Sequence, residues 1–301
     1  MLDLTMKNLL GTGVALITPF NLDLSIDIDA LKRVVNFCID GNIDYLVVLG
    51  TTGESVTLTS AEKQLVIDVV VEENAGRLPL VVGIGGNNTH LLTEELLQTN
   101  LKDFAAVLSV SPYYNKPTQE GIYRHYKTLA KASEKPLILY NVPGRTGSNI
   151  EPDTVLRLAN DCSNIVGIKE ASGDMTQLKR LINILPSDFL VISGDDFTAL
   201  PTVTEGGVGV ISVLGQGLPN EFSRMIRLGL QGKEKEAYAL HNAMIEGMKL
   251  IFQEGNPAGI KSVLETHGIC GPTVRLPLVE ASSKLKGHIA EFMRTFAKIR
   301  A

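Results

Sequence analysis

Eight short apolar runs, separated by amphipathic segments, constrain the fold of this chain more than any other feature. The runs are rich in leucine and β-branched residues, are bounded by Gly, Pro, Asn or Asp, and do not alternate apolar with polar residues. This pattern is typical of strands that are buried on both faces of a parallel sheet. The runs cover residues 13–20, 44–50, 78–85, 105–113, 136–143, 165–172, 189–196 and 207–215.

The segments between the runs predict helices. Segment 28–41 carries Leu31 and Val34 at helical spacing, and Thr59 followed by Glu62 predicts a capping box before another helix. Eight strands that alternate with helices predict an α/β fold, a closed (β/α)8 TIM barrel. The alternative is an open doubly wound sheet, which the lack of a GxGxxG turn disfavours.

After the eighth apolar run and the helix that follows it, the sequence predicts only helices. We therefore expect two parts, a catalytic (β/α)8 barrel over residues 1–232 and a C-terminal helical domain over residues 233–301.

Composition and charge indicate which kinds of binding partner and which cellular compartment to expect for this chain. The hydrophobic fraction of 44% and the charged fraction of 20% are those of a globular protein. The net charge is −5 without a basic stripe, so we expect no nucleic-acid partner. No apolar run approaches the roughly 18 residues of a membrane span, and the N-terminus does not resemble a signal peptide. Three widely spaced cysteines fit a reducing, cytoplasmic environment.

Lys169 lies late in the sixth apolar run, where a TIM barrel places its active site. Burial in apolar surroundings favours a neutral amine, and a neutral amine attacks a carbonyl to form a Schiff base. The alternative is a lysine that reaches solvent or pairs with a carboxylate such as Glu170.

Other polar residues follow neighbouring runs. Tyr140 could relay a proton or simply pack at the barrel rim. The Gly-Thr-Thr-Gly sequence at 50–53 could bind a carboxylate or form a plain turn. Arg145 could hold a second carboxylate or lie free on the surface.

Other chemistries find little support in the sequence. The histidines fall in predicted helices or in the C-terminal part, so neither a Ser-His-Asp set nor a histidine-rich metal site is visible. Asp195 and Asp196 are a weak metal signal and could instead cap a helix.

Motifs along nearly the whole chain resemble those of the dihydrodipicolinate synthase family, which belongs to the pyruvate-dependent class I aldolases. The matching stretches occur in order and are GTGVALITPF, GTTGESVTLT, SPYYNKPTQEGIYRHY, YNVPGRTG, GIKEASGD, SGDD, NPAGIK and RLPL.

The resemblance implies catalytic roles for four residues. Lys169 matches the lysine that forms a Schiff base with pyruvate, and Tyr140 matches the neighbouring tyrosine that moves protons. Thr52 matches the middle of a hydroxyl relay. Tyr114 matches its far end, which in the family reaches into the neighbouring subunit.

The resemblance also implies substrate contacts. Thr51 and Thr52 match the site of the pyruvate carboxylate, and Arg145 matches the residue that binds the carboxylate of the second substrate. Gly194 and Ile211 match backbone and packing positions around the lysine.

The implied function is the condensation of pyruvate with L-aspartate 4-semialdehyde to 4-hydroxy-tetrahydrodipicolinate, in lysine and diaminopimelate biosynthesis. The family implies no metal or organic cofactor and a homotetramer built as a dimer of dimers. The alternatives within the superfamily are N-acetylneuraminate lyase and the 2-keto-3-deoxy sugar-acid aldolases, which Tyr114 and Arg145 disfavour. A non-catalytic ligand-binding barrel and a metal-dependent barrel hydrolase are alternatives from other classes.

The sequence departs from the family at the site where lysine inhibits the feedback-sensitive members. Ser60, Lys63 and Leu91 stand where those members have two histidines and a glutamate, whereas Ser55, Asn87 and Tyr113 match. A lysine side chain at this site repels the ammonium of an incoming lysine. We therefore predict weak or absent inhibition.

Overall fold

A closed barrel of eight parallel strands, arranged in the order of the chain, forms the centre of the structure. The computed structural model describes residues 7–300. The strands are β1 Gly11–Ala15, β2 Tyr45–Val48, β3 Leu80–Gly83, β4 Ala106–Val110, β5 Leu137–Asn141, β6 Ile165–Glu170, β7 Leu190–Ser193 and β8 Gly209–Ser212. Because β8 also pairs with β1, the sheet has no free edge, and the predicted (β/α)8 barrel is confirmed.

Helices follow the strands and surround the barrel. The box predicted at Thr59 is present, since its hydroxyl accepts from the Glu62 N–H while the Glu62 carboxylate accepts from the Thr59 N–H. The barrel helices are α1 Ile28–Asp40, α2 Ser60–Asn74, α3 Thr89–Gln98, α4 Gln119–Ala132, α5 Pro152–Asp161, α6 Met175–Ile184, α7 Ala199–Thr204 and α8 Pro219–Leu230.

Three further helices complete the described chain. They are α9 Glu234–Gln253, α10 Ala258–Thr266 and α11 Ser283–Arg300. Helix α9 packs against both α8 and α11, and the buried apolar side chains of these helices join the layer that covers the outside of the barrel. The division at residue 232 into a barrel and a helical domain stays a prediction. Within residues 7–300 no helix is both long and apolar enough to cross a membrane.

Two apolar layers bury the two faces of each strand. In β2, Val47 points into the barrel, whereas Leu46 and Val48 face the helices. In β6, Ile168 belongs to the outer layer, so the two-residue period of a strand turns Lys169 into the barrel. Because both faces of the strands are buried, the apolar runs do not alternate apolar with polar residues, as expected.

Candidate active site

Lys169 lies inside the barrel near the carboxyl end of β6. It pairs in register with Tyr140 on β5 and with Ile192 on β7. The side chain of Lys169 is buried at 5% exposure, and its Nζ lies 4.4 Å from the centre of the Tyr140 ring. An amine and a phenol thus lie side by side at the end of the barrel where these folds carry their active sites.

Glu170 does not pair with Lys169. It follows Lys169 in the strand and therefore faces the opposite side of the sheet. Its Oε2 accepts hydrogen bonds from Asn141 Nδ2 and Gln177 Nε2, both at 2.9 Å, and its Oε1 accepts from the Ser172 N–H at 2.7 Å. Among the described residues Lys169 forms no ion pair, so the alternative of a lysine neutralised by Glu170 is wrong.

Gly194 and Ile211 shape the space around the Lys169 side chain. A Cβ atom on Gly194 would lie only 2.9 Å from Cε and 3.0 Å from Cγ of Lys169. The glycine therefore leaves room for the lysine stem to extend across it. Ile211 on β8 is fully buried in the same inner layer as Tyr140. Both positions contribute shape and apolar surroundings.

The two threonines lie in a single 3₁₀ turn, Thr51–Gly53, directly after β2. Thr51 is exposed and lines a cavity of about 330 Å³ together with Ser55, Tyr113 and Tyr140. Thr52 is buried, and its hydroxyl accepts a hydrogen bond from Asn256 Nδ2 at 2.9 Å.

Tyr114 and Arg145 lie farther out. Tyr114 is 87% exposed and has a φ of +70°, a conformation that is rare for a bulky side chain. Arg145 is exposed on a single helical turn, Pro143–Thr146, that the sequence did not predict. Neither residue lines the cavity that Thr51 and Tyr140 share.

Hydrogen bonds of Asn141 and Glu170 anchor the loop that carries Arg145. Asn141, at the end of β5, donates to Asn149 Oδ1 at 2.7 Å and accepts from the Ile150 N–H at 2.9 Å. Since Asn141 also donates to Glu170, both ends of the loop are tied to β5 and β6. Arg145 therefore projects from a loop with fixed ends.

The C-terminal part contributes buried contacts that the sequence did not reveal. Lys261 Nζ lies 2.6 Å from Oε1 of Glu54, which follows the Gly-Thr-Thr-Gly sequence, and both side chains are fully buried. Lys261 also donates to the Thr273 carbonyl, and Glu54 Oε2 accepts from the Arg275 N–H. Burial lowers the pKa of Lys261, an effect that the Glu54 carboxylate opposes. The sequence feature that could have indicated a buried, paired lysine is the position of Lys261 inside the apolar stretch 258–264.

Asp196 serves the fold through its hydrogen bonds. Its carboxylate accepts from Ser212 Oγ at 2.6 Å and from the N–H groups of Val213 and Leu214. Burial raises the pKa of Asp196 to about 6 against the effect of these donors. Within the described part of the chain, no group of three or more His, Cys, Asp or Glu residues could hold a metal ion. That the chain works without a metal stays a prediction.

Comparisons with known proteins identify the family. The model of the dihydrodipicolinate synthetase family matches residues 8–295. A 4-hydroxy-tetrahydrodipicolinate synthase of Flavobacterium psychrophilum is 57% identical over 97% of this chain and 100% of its own. A monomeric variant of dihydrodipicolinate synthase superposes with a TM-score of 0.94 at 35% identity, covering 97% of this chain and 98% of its own.

A further similar structure is a complex with a small molecule. The chloride-inhibited dihydrodipicolinate synthase of Acinetobacter baumannii, solved in complex with pyruvate, has a TM-score of 0.92 at 37% identity over 96% of this chain and 99% of its own. The matches to sequence and to structure extend over the barrel and the helices after it. On these grounds the chain belongs to the dihydrodipicolinate synthetase family.

Proposed function

We propose that Lys169 is the amine through which the chain performs the reaction of its family. That reaction condenses pyruvate with L-aspartate 4-semialdehyde to 4-hydroxy-tetrahydrodipicolinate, a step of lysine and diaminopimelate biosynthesis. The observation that carries the assignment is a buried lysine without a carboxylate partner, with its Nζ 4.4 Å from the ring of Tyr140.

The chemistry then follows from the amine. Lys169 attacks the keto carbon of pyruvate, water leaves, and an imine forms. The imine withdraws electrons, so a methyl proton of pyruvate is released and an enamine results. The enamine carbon attacks the aldehyde of the semialdehyde. The amino group of that substrate then attacks the imine carbon, which closes the ring and releases Lys169. The lysine supplies the electron sink, so the proposal requires no metal or organic cofactor.

Tyr140 is the proposed proton carrier beside the imine, since its ring adjoins Lys169 within the same buried layer. Thr52 is the proposed next member of the path, and Tyr114 its outer end. The outward position of Tyr114 supports an assembly in which this side chain reaches a neighbouring subunit. We therefore propose a homotetramer arranged as a dimer of dimers, and a cytoplasmic location in keeping with three free cysteines.

The two substrate carboxylates have separate proposed partners. Thr51 lines the cavity beside Tyr140, where its hydroxyl and the N–H groups of the turn suit the pyruvate carboxylate. The Arg145 guanidinium, on its anchored loop, suits the carboxylate of the semialdehyde. A sugar acid would instead require several hydroxyl partners at that position.

An activity assay tests the proposal directly. The purified protein should consume pyruvate in the presence of L-aspartate 4-semialdehyde. It should release no pyruvate from N-acetylneuraminate or from a 2-keto-3-deoxy sugar acid. Turnover of a sugar acid at a comparable rate would contradict the assignment of Arg145 and favour the sister enzymes.

Weak inhibition by L-lysine is a second expected result. Lys63 lines the cavity that also contains Ser55 and Tyr113, and its Nζ lies 3.6 Å from Oε1 of Glu95. An incoming ammonium group would meet the positive charge of Lys63, and the nearby carboxylate is already paired. Initial rates should therefore change little in millimolar L-lysine, compared with sodium chloride at the same ionic strength. Strong inhibition by lysine alone would show this prediction to be wrong.

A further inference from the structure

Glu170 is a buried carboxylate that uncharged donors alone hold in place. Its side chain is 1% exposed, and in the described part of the chain it forms no ion pair. The donors are the side-chain amides of Asn141 and Gln177 and the Ser172 N–H. A buried carboxylate needs either a cation or a full set of hydrogen-bond donors. Glu170 therefore requires that both amides stay where they are.

The same two amides also hold Asn149, at the far end of the loop after β5. Asn141 Nδ2 donates to Oδ1 of Asn149 at 2.7 Å, and Gln177 Nε2 donates to the same oxygen at 3.1 Å. Asn149 Nδ2 in turn donates to Oε1 of Gln177 at 2.7 Å. The loop end is thus tied to β5 and α6, and through these amides to Glu170 on β6.

Arg145 lies midway between Asn141 and Asn149, in a stiff part of this loop. The N–H groups of Arg145 and Thr146 both donate to the Val142 carbonyl, at 2.9 and 3.0 Å. The Thr146 side chain is buried, and its hydroxyl lies 3.2 Å from the same carbonyl oxygen. A stiff turn moves as a unit, so a shift of the loop ends displaces the guanidinium.

We propose that Glu170 is a positioning residue for the second substrate, because its hydrogen bonds with Asn141 and Gln177 fix the loop from which Arg145 reaches the substrate carboxylate. Lys169 and Glu170 then divide the work of two adjacent strand positions. The first faces inward to pyruvate, and the second faces outward and sets the affinity for L-aspartate 4-semialdehyde. The inference rests on the proposed role of Arg145.

Glu170→Gln tests the proposal with little change in size. One carboxylate oxygen becomes an amide N–H group, which cannot accept from a donor. We expect kcat/KM for the semialdehyde to fall by about 10- to 100-fold, because a small misplacement of a binding group costs that much. KM for pyruvate and the yield of the pyruvate–borohydride adduct should stay near their original values. A merely structural role would also displace Lys169, the preceding residue, and would lower the adduct yield.

A double-mutant cycle with Arg145→Ala shows whether Glu170 acts through the arginine. Once the guanidinium is removed, Glu170 has nothing to position. The double variant should therefore have the same kcat/KM for the semialdehyde as Arg145→Ala alone. Independent roles would instead give additive losses.

Asn149→Ala is a second variant that cuts the tie at the loop and leaves all three donors to Glu170 in place. It should impair use of the semialdehyde in the same direction, and it decides the question if Glu170→Gln does not fold. The matched control is Asn74→Ala. Asn74 is a buried asparagine that bonds both the N–H and the carbonyl of Leu78, between α2 and the start of β3. That loop is at the opposite end of the barrel, so both KM values should stay unchanged.

The outcomes separate the possible failures. An original protein that forms no adduct with pyruvate, or does not turn over the semialdehyde, refutes the proposed function. An Arg145→Ala variant with unchanged kcat/KM for the semialdehyde refutes the role of Arg145 and this inference with it. If Arg145→Ala is impaired, then an unchanged kcat/KM in Glu170→Gln and Asn149→Ala, a loss of adduct in Glu170→Gln, or additive losses in the cycle refutes only the role of Glu170.

Discussion

Replacing Lys169 with alanine is expected to abolish covalent trapping of pyruvate and to lower kcat on the order of 10⁴-fold or more. The loss is large because alanine removes the proposed nucleophile itself, and among residues 7–300 only the amine of Lys169 lies over the Tyr140 ring. The measurement is mass spectrometry of the protein after incubation with pyruvate and borohydride. The original enzyme should gain one reduced pyruvyl group, and peptide mapping should locate it on Lys169.

The matched control for this experiment is Lys179→Ala. Lys179 lies on α6 with its side chain half exposed, and it pairs with Glu205 outside the barrel. This variant should keep both the adduct and the activity. An adduct that persists in Lys169→Ala, or one that maps to another lysine, would contradict the assignment of the nucleophile.

Replacing Lys261 with methionine is expected to destabilise the folded state by about 3–5 kcal/mol. The change leaves Glu54 buried without its cation, although the carboxylate keeps the hydrogen bond from the Arg275 N–H. A buried charge without a partner costs several kcal/mol. The unfolding midpoint in urea and the melting temperature should both fall well below those of the original chain.

Two further variants test the cause of that loss. The double variant Glu54→Gln with Lys261→Met should be more stable than Lys261→Met alone, because it removes both charges. Lys249→Met makes the same substitution at an exposed pair with Glu246, whose side chains are 60% and 61% exposed, and should have little effect. A double variant no more stable than Lys261→Met would contradict the electrostatic explanation.

Local patterns predicted the elements of the fold. Seven of the eight apolar runs each contain one strand of the barrel, whereas β1 starts two residues before the first run, and the Thr59 box starts α2 as expected. The sequence could also have predicted that the Glu170 side chain faces away from Lys169, since neighbouring strand residues face opposite sides of the sheet. These features depend on periodicity and on residues a few positions apart, which a single sequence displays directly.

The contacts that the sequence could not predict join residues that are far apart in the chain. The hydrogen bond from Asn256 to Thr52 and the pair of Lys261 with Glu54 join residues more than 200 positions apart. No local pattern specifies which distant side chains meet. The helical turn that carries Arg145 was missed because four residues, starting at a proline, are too few to show a helical period.

The same distant contacts bear on when an enzyme molecule can begin to work during its synthesis. A nascent chain that has left the ribosome only as far as residue 255 contains every strand of the barrel, together with Lys169 and Tyr140. It still lacks the amide that bonds the Thr52 hydroxyl and the ammonium group that neutralises Glu54. The buried contacts of Thr52 and Glu54 therefore form only in the last stretch of translation, and a product of premature termination there would have Lys169 without these contacts.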